Sequence, residues 1–97
     1  MPTYISLYRW TEQGVKNVKQ SPDRIDAGVK AAQAMGIKVT GVYVVMGQYD
    51  LITIAEAPND EAIARFALSL GMQGNVSTQT LRAFNPDEFK KIVSALP

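Results

Sequence analysis

The sequence predicts an α+β fold: a four-stranded antiparallel sheet with two main helices, in the order β-α-β-β-α-β, followed by one further helix. Three observations carry this prediction. Two apolar, β-branched runs, Val42–Met46 and Leu51–Ala55, flank Gly47-Gln48-Tyr49-Asp50, which reads as a hairpin with a tight turn. Apolar residues recur at helical spacing before the hairpin (Ile25, Val29, Ala32, Met35) and after it (Ile63, Phe66, Ala67, Leu70). Alternating segments at Tyr4–Trp10 and Asn75–Phe84 supply the two remaining strands.

The first strand, Tyr4–Trp10, divides into Ile5 and Leu7 on one side and Tyr4, Ser6, Tyr8 and Trp10 on the other. The aliphatic side reads as core. Thr11 is placed to cap a short helix containing Val15 and Val18. Ser21 and Pro22 read as the N-cap and first residue of the main helix, which runs from Pro22 to about Met35 and ends at Gly36. Ile37–Met46 reads as the second strand. Its two faces are both largely apolar beyond Gly41, so that end is expected to be covered on both sides.

Leu51–Ala57 is the third strand, stopped by Pro58. Asn59 caps the next helix, with Asp60 and Glu61 at its positive end. The fourth strand is rich in Thr and Ser. Asn85-Pro86-Asp87-Glu88 has the form of a capping box, opening a last helix with Phe89, Ile92, Val93 and Leu96 on one stripe. This is the ferredoxin-like pattern, with both right-handed crossovers placing their helices on one face of the sheet.

Length and composition predict one domain spanning residues 1–97. A net charge of +1 gives no field that would gather nucleic acid or an acidic membrane surface. With neither Cys nor His, the chain has no disulfide, no thiolate chemistry, no imidazole acid or base and no ordinary zinc site. Its acidic residues are scattered, so no metal or cofactor is expected. A cytoplasmic location is expected, because the chain shows no leader pattern and no apolar run of membrane-spanning length.

The uncovered sheet face needs water, a ligand or a second subunit. Tyr4, Ser6, Tyr8 and Trp10 are assigned to it, with Thr53, Thr78, Thr80 and Arg82 as further members. Such a mixture of aromatic, hydroxyl and guanidinium groups suits an interface or a small-molecule cavity. Two sheets packed face to face would make a dimeric α+β barrel.

The segments Trp10-Thr11-Glu12-Gln13-Gly14, Gly47-Gln48-Tyr49-Asp50, Gly74-Asn75-Val76 and Thr80-Leu81-Arg82-Ala83-Phe84 closely resemble the GYD-domain proteins across essentially the whole chain. Gly47, Tyr49 and Asp50 match the residues that name the family. The resemblance implies the dimeric α+β barrel superfamily and no established activity. That superfamily also holds cofactor-free monooxygenases, haem-binding enzymes, small isomerases and the effector domains of Lrp/AsnC-type regulators. The absence of His removes the residue that a typical haem ligand or proton shuttle would supply.

The candidate ligand-binding residues are Tyr4, Tyr8, Trp10, Tyr49, Asp50, Thr53 and Arg82, with Gly47 as the turn residue. Each also has a structural reading. Gly47, Tyr49 and Asp50 suit turn chemistry, Trp10 suits an interface anchor, and Arg82 suits an ion pair with Glu56. No catalytic constellation stands out. The function best supported is a small homo-oligomeric module that binds a small molecule or another protein. The alternatives are a cofactor-free enzyme, monooxygenase- or isomerase-like, acting on a small aromatic or oxo-acid substrate, and a structural oligomer subunit.

Overall fold

A computed structural model describes residues 1–97. The chain runs β1 (Thr3–Trp10), α1 (Glu12–Lys16), a 3-10 turn at Val18–Gln20, α2 (Ser21–Ala34), β2 (Lys38–Val44), β3 (Leu51–Glu56), α3 (Asp60–Met72), β4 (Val76–Ala83) and α4 (Pro86–Ser94). The four strands form one sheet in the order β2-β3-β1-β4, with every neighbouring pair antiparallel. This is the predicted ferredoxin-like α+β architecture. No helix is long and apolar enough to cross a membrane.

The predicted caps form at three helices. The Thr11 side chain accepts from the Gly14 N–H, and Asn59 accepts from the Ala62 N–H. At α4, Asn85 and Glu88 make the reciprocal capping box. Helix α2 departs from expectation. Ser21 lies inside the helix, and its hydroxyl donates to the Val18 carbonyl, which makes Gln20 the cap position. The intervening 3-10 turn supplies the carbonyl that draws the serine in.

The faces of the sheet are the reverse of the sequence-based assignment. Tyr4 and Tyr8 are 3% and 4% exposed, and Ser6 is also buried. Tyr4 packs in the main core with Ala32 of α2, Ile37, Ala55, Ala57, and Ala62, Ile63 and Phe66 of α3. The helices therefore cover the aromatic side of β1. Ile5, Leu7, Ile52 and Ile54 lie on the open side, only partly buried.

The physical reason is volume and hydrogen bonding. The core offers four alanines, which leave room for tyrosine rings. Each ring also finds a partner for its hydroxyl, Asp60 for Tyr4 and Thr53 for Tyr8. The register confirms that Tyr4, Ser6 and Tyr8 share their face with Arg82, Thr80 and Thr78 and with Thr53. Those residues form one set, but on the covered face.

Strand β2 has a second departure. The register shifts between Val39 and Gly41, so Thr40 is an extra, bulged residue. Val39 opposes Ala55 on the covered side, but Gly41 opposes Ile54 and Tyr43 opposes Ile52 on the open side. Simple alternation would put Val39, Gly41 and Tyr43 on one face. Within the single chain the open side of this end is uncovered, with Tyr43 60% exposed.

Candidate functional site

The hairpin signature residues anchor the end of β1. Gly47 has φ +116°, a backbone conformation open to glycine and strained for other residues. Asp50 joins three segments there. Its N–H donates to the Tyr8 carbonyl (2.8 Å), and its carbonyl accepts from the Val45 N–H (2.9 Å). Its Oδ2 accepts from the Trp10 N–H (2.9 Å). The carboxylate thus satisfies a backbone donor where β1 runs past its pairing with β3.

Tyr49 reaches across the open face, donating its hydroxyl to Gln79 Oε1 on β4 (2.7 Å). The Arg9 guanidinium stacks 5.0 Å from the Tyr49 ring centre. Leu7, Arg9, Tyr49, Ser77 and Gln79 line a shallow groove here.

A second cluster ties Tyr4 to the start of α3 and to β4. The Tyr4 hydroxyl donates to Asp60 Oδ1. That hydrogen bond, then burial, then the Asp60 charge raise the Tyr4 hydroxyl above its ordinary pKa of 10.0. Arg82 lies 5.8 Å from the Tyr4 ring centre and 4.5 Å from that of Phe84. Its ionic partner is Glu88 of α4 at 3.8 Å, whereas Glu56 pairs with Lys38 at 3.9 Å. The expected Arg82–Glu56 pair does not form, because the two residues lie on opposite faces of the sheet.

The third feature is a cavity of about 90 Å³ between the sheet and the two main helices. Tyr8, Trp10 and Thr53 line it from the sheet, and the Tyr8 hydroxyl and Thr53 Oγ1 are 3.1 Å apart. Arg24, Gly28 and Val29 line it from α2, and Ile63, Phe66 and Leu70 from α3. The predicted candidates therefore fall into three places. Tyr8, Trp10 and Thr53 meet at the cavity, Tyr4 and Arg82 meet beside Asp60, and Tyr49 and Asp50 sit at the hairpin. Sequence reasoning missed Arg24 and Gly28. The available signal was the succession Arg24, Gly28 and buried Ala32 at steps of four, which puts all three on one face of α2.

Two of the segments that carry the sequence resemblance, around Thr11 and around Asn75, meet in space. Thr11 Oγ1 donates to the Gly74 carbonyl (2.6 Å), and the Thr11 N–H donates to the Asn75 carbonyl (3.0 Å). Gln13 Nε2 donates to the Gln73 carbonyl and to Asn75 Oδ1, each at 3.0 Å. The loop after α3 is thereby fastened to α1 beside Trp10.

Comparison with known proteins agrees with this fold. Over 84 residues the chain is 34% identical to the glutamine synthetase and cystathionine beta-lyase binding protein of Thermus thermophilus, covering 86% of this chain and 88% of that one. The crystal structure of FFRP-DM1 is similar with a TM-score of 0.62 at 20% identity, over 87% of this chain and all (100%) of that one. That of TTHA0845, also from Thermus thermophilus, gives 0.52 at 26% identity, over 88% and 95% of the two chains. Residues 4–93 match the GYD domain, so this chain belongs to the GYD domain family.

Proposed function

We propose that this protein is a protein-binding module that works as a homodimer, with the open sheet faces of two copies packed together as a dimeric α+β barrel. The family membership and the relative named as a binding protein support a binding or interaction role. The observation that carries the dimer is the composition of the open face. Ile5, Leu7, Ile52 and Ile54 form its centre, with Tyr43 and Leu81 exposed beside them. An apolar sheet face of this kind marks an interaction surface. The aliphatic face suits sheet-to-sheet packing better than the aromatic, hydroxyl-rich face expected from the sequence.

Light scattering at micromolar concentration tests the assembly. The expected mass is a dimer or a small multiple of one. Ile52→Lys places a charge at the centre of the face and is expected to give a folded monomer by circular dichroism. A monomeric wild-type mass overturns the assembly. The Thermus relative's name gives glutamine synthetase and cystathionine beta-lyase as the proteins it binds. At 34% identity those two enzymes are the first partners to assay. Sedimentation with each purified enzyme is expected to show a complex with at least one of them. Free sedimentation with both removes these enzymes as partners.

A further inference from the structure

We infer that the cavity between α2, α3 and the sheet binds a small carboxylate with an apolar body, and that its carboxylate pairs with the guanidinium of Arg24, the one charged side chain in the cavity wall. The inference is independent of the association proposed above, because the cavity is on the covered side of the sheet and the interface is on the open side.

The charge points to an anion. Arg24 Nη1 donates to the Asn17 carbonyl (2.9 Å), but Nη2 is buried with no acceptor. It is the only buried side-chain nitrogen or oxygen in the protein left without a hydrogen bond. A guanidinium cannot shed its proton, so the charge persists at any ordinary pH. None of the three ion pairs in the protein includes Arg24, and no Asp or Glu lines the cavity. An unpaired guanidinium in an otherwise uncharged wall favours an anion, and a carboxylate is the group that matches its geometry.

The walls define the rest of the ligand. Hydrophobic residues make up 13 of the 20 that line the space. The polar remainder includes the hydroxyls of Ser6, Ser21 and Thr53, and the hydroxyl of Tyr8 joins them. An apolar body with one charged end fits that distribution. At about 90 Å³ the space is several times the ~10–15 Å³ that admits a single water.

Gly28 supplies a second, separate observation. It lies in mid-helix on the same face as Arg24 and Ala32, where glycine weakens a helix relative to alanine. A Cβ built on Gly28 would meet nothing within 4 Å. Packing does not require a glycine there. Its missing side chain leaves that part of the cavity wall open.

Trp10 is the protein's one tryptophan and lines the cavity, so its fluorescence reports on occupancy. Benzoate and 4-methylpentanoate would be titrated at millimolar concentration against benzyl alcohol and 4-methylpentanol. The acids are expected to shift Trp10 emission saturably and to raise the melting temperature, and the alcohols to do neither. Arg24→Gln keeps a polar side chain and removes the charge, and is expected to weaken the acids roughly ten- to hundred-fold. Gly28→Leu fills the space and is expected to abolish binding while the fold persists. If Arg24→Gln fails to fold, the comparison of acid with alcohol on the wild-type protein still decides. Equal response to acids and alcohols, unchanged affinity in Arg24→Gln, or no response to either acid overturns the inference.

Discussion

At the residue scale, the signature aspartate is an anchor. The Asp50 carboxylate holds the Trp10 N–H, and its backbone joins Tyr8 and Val45. Asp50→Ala leaves that amide without its acceptor and is expected to cost about 1–3 kcal/mol in urea denaturation. Asp50→Asn keeps an acceptor oxygen and should cost less. Tyr4 gives a pH signature. Its folded pKa is raised, so the folded state holds the phenolic proton more tightly than the unfolded chain. The stabilisation is fully present below about pH 10, the ordinary tyrosine value. It is then lost as pH rises through the folded pKa. Stability measured by denaturation is expected to fall above that pH, and Tyr4→Phe should flatten this part of the curve. An unchanged slope in the variant would remove Tyr4 as the cause.

At the scale of elements, close packing at one glycine fastens α1 to the sheet. A Cβ on Gly14 would sit 2.1 Å from the Asn75 carbonyl oxygen, a backbone atom that cannot swing away. Gly14→Ala is therefore expected to destabilise by about 1–3 kcal/mol or more, read as a lower urea midpoint. Strand and helix positions were legible because hydrophobic period and capping residues agree, as at Asn59 and the Asn85–Glu88 box. The covered face was not legible from β1 alone. Tyrosine has an apolar ring and a polar tip, so Tyr4 and Tyr8 suit either side until Asp60 and Thr53 are seen to meet their hydroxyls. The phase change in β2 was hidden for a related reason. Lys38-Val39-Thr40-Gly41 reads as uninterrupted alternation, and only pairing with β3 reveals Thr40 as the extra residue. The cavity is walled by residues from two helices and the sheet, an arrangement of distant segments that no local pattern encodes.

At the scale of the whole molecule, the chain is long and thin. Its extents are 52 × 30 × 19 Å, and its radius of gyration is 14.7 Å, against about 13 Å for a compact chain of this size. Helix α4 is joined to β4 by the Arg82–Glu88 pair, with Phe89, Ile92 and Val93 of the helix and Leu96 beyond it all exposed. Removing residues 86–97 is expected to leave the sheet folded by circular dichroism and to weaken self-association in light scattering. Unchanged association would place α4 outside the interface. The bulge at Thr40 bears on how such an assembly grows. β2 and β4 are the two rims of the sheet. On the β2 rim the kinked backbone, with the Thr40 hydroxyl turned onto the Ile54 carbonyl, makes a poor template for another strand. Copies that cannot add rim to rim cannot propagate a ribbon. A pair of the kind proposed, joined through its flat sides, would close on itself.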